Sequence, residues 1–251
     1  MNCLKHIPLQ GAKNTRDLGG YPTINCRITR WGMLYRSDSL NELTESDWNV
    51  LRKRNIKTII DLRSLTETDV APIIPPDGIE YFHDSLMSEL DGKLKALSHD
   101  TTIQSMKLDY VKTLFGNLAC AAKVLNTILT GMDKGAVIFL CSAGKDRTGI
   151  IAALVLYLCD VVREDIIADY IVSSTYNVNG INRKMENLSK EYLKAIPDKE
   201  LLKDCLASKP ETITALLDAL EHRNIRALLA EHGFFAESQK QLVSIFTEKI
   251  A

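Results

Sequence analysis

Two rhythms of apolar residues alternate along this chain. Short runs rich in β-branched side chains, at 56–63 (Ile-Lys-Thr-Ile-Ile-Asp-Leu-Arg), at 79–83 after the Asp77-Gly78 turn, and at 136–140 (Ala-Val-Ile-Phe-Leu), predict buried strands. Between them the period lengthens. Thr44 followed by Asp47, with Leu43 before and Trp48 after, reads as a capped helix start running to about Asn55. A longer helical pattern spans 105–130 and ends at Gly131. The stretch 148–159 is apolar on every side, which predicts a helix buried on all faces. Beyond Val161 the pattern is helical throughout, in pieces broken near Gly180, Pro197, Pro210 and Gly233.

The first forty residues are turn-rich, and the Gly19-Gly20 pair between the segments 14–22 and 30–37 predicts a hairpin or a bulged strand pair. Residues 85–104 are weakly patterned and read as a lid. The whole is an α/β chain: one domain over 1–251, with an α/β core at 1–160 and a helical C-terminal part at 161–251.

With 31 Lys+Arg against 32 Asp+Glu, the chain lacks the basic excess of a nucleic-acid binder. The N-terminus has no apolar stretch resembling a secretory signal, and the most apolar segment, 149–162, is too short to span a bilayer. A soluble cytoplasmic protein without membrane insertion is expected. The six cysteines (3, 26, 120, 141, 159, 205) form no Cys-x-x-Cys pair and have no His at zinc-ligand spacing, so five of them read as buried thiols in a reducing compartment. The five histidines cluster with nothing.

Cys141 is the exception because of its neighbours. Residues 141–148 read Cys-Ser-Ala-Gly-Lys-Asp-Arg-Thr, directly between the strand at 136–140 and the apolar helix. A strand turning straight into a helix aims backbone N–H groups and the positive helix end at one point, a ready anion site. The same field suits a sulfur nucleophile in its anionic form. The amides of Ser142, Ala143, Gly144 and Lys145 are expected to curl around a phosphate, and Gly144 allows close backbone approach. Arg147 supplies a planar fork for two phosphate oxygens and for the transition state. Thr148 can donate its hydroxyl to the sulfur. An acid for the leaving oxygen is also required, and later a base for water. Asp146 is the first candidate and Asp84, at the end of strand 79–83, the alternative. Asp146 could instead be a structural partner of Arg16 or Arg36, and Lys145 either a phosphate contact or a solvated loop lysine. Arg63 and Asp61 fall at the same sheet edge as the Cys141 loop, where they could touch substrate or staple the sheet to itself. Arg16 and Asp17 face the same choice between binding and holding the loop.

At these residues the sequence resembles the Cys-dependent protein phosphatases. More closely, it resembles the bacterial tyrosine/serine phosphatase family that includes secreted phosphatases of intracellular pathogens. The stretches 14–21 (Asn-Thr-Arg-Asp-Leu-Gly-Gly-Tyr), 58–64 (Thr-Ile-Ile-Asp-Leu-Arg-Ser), 141–149 and 168–174 (Ala-Asp-Tyr-Ile-Val-Ser-Ser) carry the likeness. It implies a central, mostly parallel sheet flanked by helices, no cofactor and no metal. The implied reaction is hydrolysis of phosphomonoesters through a cysteinyl-phosphate on Cys141. Phosphotyrosine in proteins is the leading substrate, with phosphoserine or phosphothreonine beside it, and a phosphoinositide is the alternative. In that family the aspartate inside the loop is the acid, which favours Asp146, and a lysine at the position of Lys145 helps members that act on phosphoinositides. One departure stands out: the histidine that buttresses the loop just before the nucleophile is Leu140 here.

Two other classes compete. Rhodanese-like sulfurtransferases also use a Cys in an anion loop, but the Arg147-Thr148 ending suits phosphate. A non-catalytic phosphate-binding module has no need of the nucleophile. A nucleotide-binding P-loop is excluded, because no Gly-x-x-x-x-Gly-Lys-Ser/Thr string exists in the chain.

Overall fold

A computed structural model describes residues 5–87, 108–178 and 207–250. A five-stranded sheet is built from β1 (Arg16–Asp17), β3 (Leu34–Ser37), β6 (Ala136–Leu140), β4 (Ile56–Asp61) and β5 (Glu80–His83), in that spatial order. The last four strands are parallel, and only β1 runs antiparallel, pairing Arg16 with Arg36 and Asp17 with Tyr35. The expected α/β architecture is therefore present, with helices flanking a mostly parallel sheet.

Strand β6 is apolar at every position because both of its faces are covered. Val137 and Phe139 join the apolar cluster under the long helices, while Ala136, Ile138 and Leu140 join the one on the α1 (Glu45–Lys53) side. Leu140, standing where the family's buttressing histidine would be, thus points into a packed core. Helix α1 starts as its sequence predicts: the Thr44 side chain accepts from the Asp47 N–H, and Asp47 accepts from the Thr44 N–H in return.

Three expectations need correction. The single helix over 105–130 is, among the described residues, two helices: α3 (Tyr110–Gly116) and α4 (Leu118–Met132). Asn117 leaves helical geometry between them (φ −134°, ψ 39°), and its side chain donates to Thr113 O at 2.9 Å. Gly131 does not stop α4, since it serves close packing: a Cβ there would lie 2.8 Å from Val137 Cγ2. Second, the C-terminal part is not wholly helical. After α5 (Asp146–Leu158), α6 (Arg163–Tyr176), α7 (Pro210–His222), α8 (Ile225–Glu231) and α9 (Ala236–Phe246), the chain ends in β7 (Thr247–Lys249). Strand β7 pairs antiparallel with β2 (Arg27–Thr29), and Arg27 donates to Thr247 Oγ1 at 2.7 Å and Thr247 O at 2.9 Å. That partner lies far upstream, so no local pattern announces it. Third, of the cysteines expected to be buried, Cys26 is exposed and Cys120 only partly buried, while Cys159 is buried. The lid expected at 85–104 lies, beyond residue 87, outside the described residues, as do the breaks at Gly180 and Pro197. None of the described helices is long and apolar enough to cross a membrane.

Parallel strands bring their carboxyl ends to one edge. There Ser37, Asp61, His83 and Leu140 end β3, β4, β5 and β6, and the loops after them converge.

Candidate active site

Cys141 directly follows β6 and is 2% exposed. The following residues turn directly into α5, whose first turn contains Asp146 and Arg147. Three successive loop carbonyls are held from outside. Ser142 O accepts from Ser39 N (3.3 Å), Ala143 O from Asn14 Nδ2 (3.0 Å) and Asn177 Nδ2 (2.8 Å), and Gly144 O from Asn14 Nδ2 (3.1 Å) and Arg36 Nη2 (2.7 Å). With the carbonyls pinned outward, the N–H groups of Ser142, Ala143 and Gly144 donate to nothing among the described residues. Such a turn of amides is an anion nest. Gly144 makes the turn at φ +62°, where a Cβ would sit 2.5 Å from Ser37 O, so no other residue fits without strain. Asn14, Arg36 and Asn177 thereby supply the buttressing that Leu140 does not.

Behind the loop lies a buried ion network. Asp169 of α6 accepts from Arg16 Nε (2.8 Å), Arg36 Nη1 (2.6 Å) and the Tyr21 hydroxyl (3.0 Å), and all three charged side chains are buried. Against the upward push of burial, the Arg16 and Arg36 charges hold the Asp169 carboxyl well below the usual carboxylate range. Arg36 is thus fixed by Asp169 at one guanidinium nitrogen while its other holds Gly144.

Arg147 is gripped end-on. Its Nη1 and Nη2 donate to Glu67 Oε2 and Oε1 at 2.5 and 2.8 Å, and the Ser142 hydroxyl donates to the same carboxylate. A guanidinium has two bidentate edges, and this pairing leaves the Nε side of Arg147 for an oxyanion. Burial pushes the Glu67 carboxyl up, but Arg147 outweighs it and holds the group well below its ordinary range. Glu67 belongs to α2 (Leu65–Val70), where it also completes a capping box with Ser64. A cleft of about 390 Å³ opens beside the loop between Ser142, Glu67 and Arg63.

The sequence profile of the tyrosine phosphatase family matches residues 7–248. The chain belongs to the tyrosine phosphatase family. It is 34% identical over 143 residues to a tyrosine-protein phosphatase of Nostoc commune, covering 56% of this chain and 48% of that one. It is 29% identical over 194 residues to the triple specificity protein phosphatase PtpB of Mycobacterium tuberculosis, covering 66% and 68%. This chain therefore spans about half the length of the first relative and two thirds of the second. A solved structure, TpbA of P. aeruginosa, superposes with a TM-score of 0.35 at 14% identity, covering 67% of this chain and 96% of that one.

Asp146 does not pair with Arg16 or Arg36, whose carboxylate is Asp169. Its Oδ1 accepts from the Tyr110 hydroxyl at 2.7 Å and lies 3.4 Å from Lys145 Nζ. Lys145 is buried rather than solvated, its ammonium turned to Asp146 and, at 3.4 Å, Ala207 O. Thr148 Oγ1 is buried and unbonded among the described residues. Asp84 accepts from Lys123 (2.6 Å) and Thr127 (2.6 Å) of α4. Arg63 spends its donors on Asp61, Ser39 Oγ and Ala71 O. Asp17 receives the N–H groups of Gly19 and Gly32 (both 2.8 Å), fixing the turn that carries β1.

Three further residues shape the site: Glu67, Asp169 and Tyr110. Glu67 had a signal: Ser64-x-x-Glu67 is a capping box directly after β4. Asp169 lies in the stretch 168–174 that carries the family likeness, but its partners, like that of Tyr110, come together only through the fold.

Proposed function

We propose that this chain hydrolyses phosphomonoesters through a cysteinyl-phosphate on Cys141, with phosphotyrosine in proteins as its substrate. One observation carries the reading: a buried cysteine at the base of a loop whose carbonyls are tied outward, closed by a fixed arginine. The phosphate dianion would seat on the loop amides and the Nε edge of Arg147. The Cys141 thiolate attacks phosphorus in line, and the S–P bond forms as the P–O bond breaks. Asp146 gives its proton to the departing oxygen, then takes one from the water that cleaves the phosphoenzyme. The Thr148 hydroxyl, left unbonded, eases sulfur departure by donating to it. Ser142, Ala143, Gly144 and Lys145 hold the phosphate, and Arg63 shapes the cleft beside it.

Phosphotyrosine leads because Lys145, which a phosphoinositide ring would recruit, is set against Asp146. The breadth in the name of the PtpB relative makes phosphoserine and phosphoinositide the informative comparisons. The test is a rate panel of phosphotyrosine, phosphoserine and phosphoinositide substrates, run with and without vanadate on wild type and Cys141→Ser. The reading expects vanadate-sensitive turnover, fastest on phosphotyrosine and lost in the variant. Turnover that survives Cys141→Ser would overturn it.

A further inference from the structure

The side chains around Asp146 are arranged unevenly. Both of its described contacts, the Tyr110 hydroxyl and the Lys145 ammonium, fall on Oδ1, and Oδ2 has no hydrogen bond among the described residues. Tyr110 opens α3 and is 3% exposed, yet its hydroxyl reaches across to the first turn of α5. Its oxygen lies 2.8 Å from the Tyr170 hydroxyl of α6, and the two rings meet edge to face at 5.7 Å. Because Tyr110 donates to Asp146, the proton between the two phenols belongs to Tyr170. The result is a directed chain, Tyr170 to Tyr110 to Asp146, in which each donor polarises the next. Burial and the neighbouring Asp146 charge push the Tyr110 hydroxyl well above its ordinary range, so it stays a donor at every working pH.

We propose that Tyr110 is a positioning residue for Asp146: by holding Oδ1 it fixes the carboxyl so that Oδ2 carries the proton to and from the reacting oxygens. The inference rests on the hydrolase reading above and extends it to a residue outside the loop. In the first step the Cys141 sulfur forms the S–P bond while the ester P–O bond breaks. The proton on Oδ2 passes to the departing oxygen and leaves a carboxylate. In the second step a water oxygen bonds to phosphorus as the S–P bond breaks and the Cys141 thiolate leaves, while the same Asp146 oxygen takes the water's proton. A half-exposed carboxyl without the tether rotates about its own side-chain bonds and spends less time on this line.

A purely structural tether of α3 to α5 predicts something different, and leaving-group dependence separates the two. The p-nitrophenolate anion departs with little help from an acid, whereas phenolate needs the proton. Tyr110→Phe is expected to lower kcat/KM on phenyl phosphate about tenfold and on p-nitrophenyl phosphate less than about threefold. In an Asp146→Asn background the same substitution is expected to add no selective loss. Tyr170→Phe keeps the bond to Asp146 but removes its support, so it should shift the same ratio by less, and it carries the test if Tyr110→Phe does not fold. An equal fall on both esters, or a selective fall that persists in Asp146→Asn, overturns the proposal. Failure of wild type to turn over either ester overturns the hydrolase reading itself.

Discussion

Replacing Asp169 with asparagine tests the network that holds the loop. The substitution keeps the side-chain shape but removes the charge facing Arg16 and Arg36, and it places amide hydrogens against their donors. Removing one partner of a buried ion pair costs about 3–5 kcal/mol, because the remaining charges stay buried without compensation. Here the burial is nearly complete on both sides, with 1% and 2% side-chain exposure, which places the expected loss in that range. Against a total stability of about 5–15 kcal/mol this is severe but survivable, and it corresponds to a fall in Tm of about 10 °C. Urea denaturation measures it directly, with Asp218→Asn as the control. Asp218 pairs with Arg163 at the exposed surface, where a loss within about 1 kcal/mol is expected. The pH dependence gives a second reading. The native Asp169 carboxyl is depressed relative to the unfolded value near 3.8, so its contribution is complete above that pH and drains away as pH falls toward the native value. The wild-type and Asp169→Asn stability curves should therefore converge in acid. Where the variant is folded, kcat/KM on an aryl phosphate should still fall about tenfold, because Arg36 no longer holds Gly144 O in place. A variant within about 1 kcal/mol of wild type, or a stability gap that does not narrow in acid, would refute the reasoning.

Gly144→Ala forces a side chain to φ +62° and against Ser37 O, so aryl phosphate turnover should drop to near background, with stability lowered by about 1–3 kcal/mol in the same urea assay. Glu67→Gln removes the charge that clamps Arg147, so kcat/KM should fall about tenfold, measured as a rise in KM with a fall in kcat. Because the Glu67 carboxyl is depressed on folding, the clamp is complete above its ordinary range and weakens only as pH falls well below that range. Acid-side Arg147 release should thus be absent from wild-type KM profiles taken near neutrality.

Much of this site is legible in the sequence because it is local. The strand at 136–140 and the loop that follows it announce themselves by an apolar run and a short polar turn, and the Thr44–Asp47 box marks its helix within one turn. What escapes the sequence depends on distance. Asp169 meets Arg16 across 153 positions, and β7 finds β2 across 220, so periodicity contains no trace of either. Other misses were local signals outweighed. The helical rhythm over 105–130 hides the break at Asn117, and the strand signal at 56–63 overshadows the Ser64-x-x-Glu67 box that follows it. Asp61 and Arg63 were seen as a pair at the sheet edge, but only the folded loop shows every Arg63 nitrogen engaged. The arginine proposed to hold the phosphate could be named from spacing. The glutamate that aims it could not be named until α2 was placed.

In the proposed reaction the ester's phosphoryl group passes through Cys141 sulfur. Acid-quenching the enzyme during turnover of an aryl phosphate, then mapping its peptides by mass spectrometry, tests this directly. A single phosphoryl group is expected on the peptide containing Cys141, accumulating further in Asp146→Asn. Turnover with no phosphopeptide at Cys141, or with the phosphoryl group on another residue, would contradict it.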